Sequence, residues 1–111
     1  MFTGNIAPIS NRADWIDAFQ VLDVETGEAI DISDATEIEV VIRKQISKDD
    51  LLSVTMTGGG IVLVETGAFQ WTFPASQLRD LCAETYECVA RIVKDGIAST
   101  LMIAALPVIE G

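Results

Sequence analysis

The amino-acid sequence predicts an all-β fold, an antiparallel β-sandwich of about seven strands with one short helical turn. Three observations carry that prediction. Apolar and polar residues alternate with period two in short segments, most cleanly over residues 37–46 and 86–93. Turn-forming residues, among them Gly58-Gly59-Gly60 and Asp95-Gly96, separate those segments. Half of the 111 residues are hydrophobic, enough for one core in a chain of single-domain length.

Residues 1–14 hold Gly4, Asn5, Pro8 and Asn11 and read as an extended N-terminal arm, which leaves residues 15–111 for the sandwich domain. The opening strand runs from Trp15 to Leu22, with Trp15, Phe19 and Val21 on one face and Asp17 between them. Glu25-Thr26-Gly27-Glu28 turns the chain, and Ile30 and Ile32 suit a short strand before Ser33-Asp34. Over residues 37–46, Ile38, Val40, Ile42 and Ile46 share one face, with Lys44 the single intruder, while Glu37, Glu39, Val41, Arg43 and Gln45 share the other. Lys48-Asp49-Asp50 reads as a charged turn. Leu52, Val54 and Met56 then alternate with Ser53, Thr55 and Thr57, and the three glycines permit a tight reversal into an apolar strand over residues 61–64. Thr66-Gly67 reads as another turn, after which Phe69, Trp71 and Phe73 place three aromatics on one face. Four strands joined by such short turns predict a local meander.

Pro74 to Leu81 breaks the alternation. Leu78 and Leu81 are three apart, so one or two helical turns bring both to the core side. The strand pattern resumes with Tyr86, Cys88, Ala90 and Ile92 facing one way and Glu87, Val89, Arg91 and Val93 the other. Asp95-Gly96 is a strong hairpin turn, from which a last strand over residues 100–109 pairs back.

Charge excludes two partner classes. Seventeen acidic side chains against seven basic ones give a net charge of −10, which repels a phosphate backbone, and only Arg43 and Lys44 are adjacent basic residues. Neither a nucleic acid nor an anionic membrane is expected as partner. The longest apolar stretch, residues 101–109, is about half what a membrane-spanning helix needs. No basic segment leading into an apolar run marks a secretory leader.

Residue types limit the chemistry further. Histidine is absent, which removes the commonest general base and metal ligand at neutral pH. Cys82 and Cys88 lack CxxC spacing and stand near Glu84 and Glu87, whose charge disfavours a thiolate, so both read as small buried residues. No serine lies in a GxSxG turn, and the three glycines lack the following Lys-Ser/Thr of a phosphate loop. No catalytic, metal or cofactor-binding residue is therefore assigned, and the chain is expected to be neither an enzyme nor a cofactor carrier. Asp31 with Asp34, and Asp49 with Asp50, are the carboxylate pairs open to calcium, with solvated turns as the plainer reading. Trp15 or Trp71 could form a sugar-stacking platform, set against a core position for the same rings.

The segment from Leu101 to Ile109 is apolar on both faces, whereas a sandwich strand normally shows one face to water. Its second face must be covered by a loop of this chain or by another subunit. The candidate protein interface is accordingly Trp15 with Leu101, Met102, Ile103, Leu106, Val108 and Ile109, together with the N-terminal arm.

Two resemblances add to this reading. Tyr86-Glu87-Cys88 resembles the immunoglobulin tyrosine corner, in which a Tyr stands two residues before a core Cys; with no earlier Cys to complete the disulfide, the likeness implies an immunoglobulin-like sandwich rather than a full immunoglobulin domain. The order of motifs also resembles small phage proteins whose sandwich is similar to the N-terminal domain of baseplate upper proteins. It runs through Asp23 to Gly27, Ile30 to Ser33, Ile38 to Arg43, Gly58 to Ile61, Phe69 to Phe73, and Pro74-Ala75 through Tyr86, and covers residues 15 to 109. That resemblance implies a non-enzymatic virion protein of tail, baseplate or fibre attachment, assembled in the host cytoplasm. Its partners would be other virion proteins in a homo-oligomeric or multi-copy assembly. No coiled coil or receptor-binding domain follows the sandwich, which favours an adaptor or decoration role over direct host recognition; the alternatives are a carbohydrate- or receptor-binding module, or a head decoration protein.

Overall fold

The structure, a computed structural model, describes residues 2–22, 25–65 and 67–110. Among them the chain forms β1 (Phe2–Asn5), β2 (Ile9–Ser10), β3 (Trp15–Gln20), β4 (Glu37–Arg43), β5 (Asp50–Thr55), β6 (Ile61–Glu65), β7 (Ala68–Phe73), the single-turn helix α1 (Ala75–Leu78), β8 (Thr85–Lys94) and β9 (Ile97–Ile109). One sheet runs β1-β9-β8-β4-β5, with β2 also on β9, and packs on a second sheet of order β3-β7-β6. This is the expected all-β sandwich. The strand order matches the two sheets of an immunoglobulin variable-type sandwich, B-E-D against G-F-C-C′.

The core is built by matching bulk on one sheet to small residues on the other. β7 presents Phe69, Trp71 and Phe73, all at most 2% exposed, and Trp15 of β3 stacks on Phe73 (5.6 Å between ring centres) and meets Trp71 edge-on (5.5 Å). Across from them the large sheet aligns Ala90 with Met102 and Cys88 with Ala104, flanked by Ile38, Val40 and Ile42 of β4. Small side chains in the middle of β8 and β9 leave the volume that the rings fill.

Two local devices fasten the sheets. The Tyr86 hydroxyl donates to the Cys82 carbonyl at 3.0 Å, four residues upstream, which is the hydrogen bond of a tyrosine corner. Burial and the nearby Glu84 carboxylate push the Tyr86 hydroxyl above its ordinary pKa, so it stays a donor. Pro74 opens α1, the Asp14 carboxylate accepts from the Ala75 backbone N–H at 2.7 Å, and Leu78 and Leu81 reach the core as their spacing predicts.

Four expectations change. Residues 2–10, read as an arm, are extended but belong to the large sheet, because β1 and β2 pair in parallel with β9 and Ile6 donates to the Ala105 carbonyl. Pro8 falls between the two strands, where its missing N–H interrupts the ladder. Ile30 and Ile32 form no strand; the segment after the Leu22–Ala29 bridge is a loop that drives Ile32 into the core. The strand begun at Glu37 ends at Arg43, since Lys44 and Lys48 close a turn on themselves and Lys48 takes a positive φ of 62°. Finally, the meander breaks at the three glycines: β5 pairs with β4, whereas β6 pairs with β7 in the other sheet. There the chain crosses between sheets so tightly that a Cβ on Gly60 would stand 2.7 Å from Val54 Cβ. The expected turn at Thr66-Gly67 and the opening of the Asp23 to Gly27 motif fall on Thr66, Asp23 and Val24, which lie outside the described residues.

Candidate docking surfaces

Most of the interface predicted from the sequence is core. Trp15 is 7% exposed beneath β7, and Met102, Leu106 and Val108 are buried between the sheets. Only Leu101, Ile103 and Ile109 of that set retain solvent-facing surface. β9 is an interior strand, its edges paired with β8 on one side and with β1 and β2 on the other, and its outward row of Leu101, Ile103, Ala105 and Pro107 is half-buried. Its outward row aligns Ile103 with Val89 and Val41, both 1% exposed. Trp15 and Trp71 are both buried, so neither ring offers the sugar-stacking platform.

The outward rows on either side of that apolar strip are ion-paired. Arg43 Nε donates to Glu87 at 2.7 Å, Lys48 Nζ reaches the same carboxylate at 3.1 Å, and Arg91 pairs with Glu39 at 3.2 Å. Partial burial acts to raise the Glu87 pKa, but hydrogen bonds from Arg43 and Lys48 outweigh it and hold the carboxyl below its ordinary value. Along the outward row of the register these two pairs, Arg43 with Glu87 and Arg91 with Glu39, stand directly before and after the pair of Val41 and Val89.

The groups considered for chemistry are separately engaged. Asp31 accepts from the Ser33 hydroxyl at 2.6 Å and from its backbone N–H, hydrogen bonds that lower its pKa, and Lys94 pairs with Asp34 at 3.3 Å. The Lys94 ammonium thus already stands as the cation beside this carboxylate pair. Among the described residues, no three His, Cys, Asp or Glu side chains gather closely enough to hold a metal ion. Cys88 is buried and its thiol is pushed up to about 12 by burial, with the Asp17 carboxylate adding to the shift. Cys82, expected to be buried, is exposed in the bend after α1, beside an open hollow that Asn11, Arg12, Arg79 and Glu110 also line.

Besides Ile16, Val62, Leu63 and Val64 on the small sheet, the structure leaves apolar surface at the two ends of the sandwich. At the end formed by the β8–β9 hairpin and the loop after β3, a hollow of about 320 Å³ is walled by Val21, Ile30, Ile32, Ile92, Ile97 and Leu101. Ile30 is 39% exposed and Ile97 is 68% exposed on its rim. Asp95 and Lys94 border it. At the opposite end of β4, the turn after Arg43 lifts Ile46 into solvent, 97% exposed, between Lys44 and Lys48. The signal for this was in the sequence: Lys44, the intruder in an otherwise apolar row, marks where the strand stops, so Ile46 no longer belongs to the inner face. Compared with known proteins, the sequence matches no protein-family model and no curated protein.

Proposed function

We propose that this chain is a non-enzymatic structural protein of a phage particle, a tail, baseplate or fibre-attachment adaptor that works by docking onto other protein. The observation that carries the reading is the hollow at one end of the sandwich, lined mainly by Val, Ile and Leu side chains with Lys94, Asp95 and Ser99 among them. Such open apolar surface is typical of protein contacts. The rigid double sheet holds the loops around it in place, and the order of sequence motifs supplies the virion context. Leu101, the one residue of the predicted interface that lines the hollow, links the two lines of support.

The test is compositional. Particles from the source organism, purified on a density gradient, are expected to contain this chain in a fixed number of copies per particle, counted by quantitative mass spectrometry and located by labelled antibody. Recovery of the chain only in the soluble fraction, with none in intact particles, would contradict the proposal.

A further inference from the structure

We infer that copies of this chain assemble head to tail, the Lys44–Lys48 turn of one seating Ile46 in the hollow walled by Ile30, Ile97 and Leu101 of the next. The inference rests on reading the chain as part of a multi-copy assembly, and it names the contact. Three observations lead to it. First, Ile46 is the most exposed of the large apolar side chains, at 97%, and it sits at the tip of a tight turn. An isoleucine side chain gains free energy from any contact that removes it from water. Second, the hollow is concave, apolar and of about 320 Å³, room enough for one aliphatic side chain. Knob and hollow lie at opposite ends of β4, because Glu37 pairs with Val93 beside the hairpin while Arg43 pairs with Glu87 beside the turn. One copy therefore cannot satisfy both of its own features.

Third, one pair of free charges matches. In a chain of net charge −10, most approaches between copies are repulsive. The tip of the turn is an exception: Lys44 to Ser47 carry one ammonium and no carboxylate, while Lys48, which Glu87 holds, is followed by Asp49 and Asp50. The hollow end carries Asp31, Asp34 and Asp95, against which Lys94 is the local cation. Among the described residues Lys44 has no ion pair, and Asp95 has none either. A copy arriving turn first brings its free ammonium toward that free carboxylate. A contact between two different surfaces is heterologous, so it propagates as a ring or a chain of copies rather than stopping at a two-fold dimer.

The test uses two variants at exposed positions, Ile46→Asp, which spoils the knob, and Ile97→Asp, which spoils the hollow. Far-UV circular dichroism and thermal midpoint check that both keep the fold. By sedimentation equilibrium, the parent chain should exceed its 12.0 kDa monomer mass increasingly as concentration rises, and added salt should weaken the effect. Each variant alone should remain monomeric. An equimolar mixture should recover a species of twice the monomer mass, because each variant keeps the half that the other lacks. A parent chain that stays monomeric at every concentration overturns the inference. So does association that either variant alone retains, or a mixture that fails to recover the dimer. None of these results bears on whether the chain is found in particles.

Discussion

The middle of the sandwich and its two ends are built on opposite rules. In the middle, β4 and β7 alternate, and the apolar half of each pattern goes inward: Ile38, Val40 and Ile42 on one sheet, Phe69, Trp71 and Phe73 on the other. At the ends the alternation stops, and turn geometry rather than period decides exposure. Ile46 and Ile42 share a face on paper, yet one is 97% exposed and the other fully buried. The difference teaches that stability resides between the sheets, while at the chain reversals turn geometry sets which apolar side chains stay in water.

The comparison can be broken by mutation. Trp71→Ala removes a ring packed against Trp15 and Phe69 and should cost about 3–5 kcal/mol in chemical denaturation. Loss below about 1 kcal/mol would mean that the middle is not the stabilising region. Glu87→Gln is a smaller change with a pH signature. The Glu87 pKa is lower in the folded chain than in the unfolded one, so its ion pairs stabilise the fold above the unfolded value and cease to do so as pH falls through the folded value. The variant should be less stable than the parent at pH 7, with the gap closing as pH falls below the ordinary carboxylate range. A gap independent of pH would remove the ion pairs as its cause.

Tyr86→Phe sharpens the picture of how the middle is fastened. It leaves the Cys82 carbonyl without its donor and should cost about 1 kcal/mol, with the fold intact. Ile46→Asp and Ile97→Asp, at the ends, should each change stability by no more than about 0.5 kcal/mol. A larger loss at either would show that the ends contribute to the core after all.

How much of this was legible in the sequence follows the same division. Strands β3 to β9, the core position of Trp71, the helical turn at Leu78 and the Tyr86 corner all rest on local periodicity or on a short motif, and each can be read along the chain. Partner choice among strands is a long-range matter. Nothing near Phe2 announces that β1 lies parallel to β9, a hundred residues away, and nothing in three glycines says whether β6 continues one sheet or crosses to the other. The predicted interface divides on the same ground: Trp15, Met102, Leu106 and Val108 belong to the core, while Leu101, Ile103 and Ile109 keep surface, and nothing along residues 101–109 says that the N-terminal segment pairs with the free edge of β9. The hollow joins the loop after β3 to the β8–β9 hairpin, segments some sixty residues apart in sequence, so no local pattern could reveal it.

Hydrogen exchange read by mass spectrometry on the parent chain, dilute and then concentrated, tests the division between middle and ends most directly. Peptides spanning Lys44–Lys48 and those spanning Asp95–Leu101 should both slow with concentration, while peptides from β7 exchange at one slow rate throughout. Equal exchange at both concentrations, or slowing confined to the outward faces of the sheets, would contradict the account.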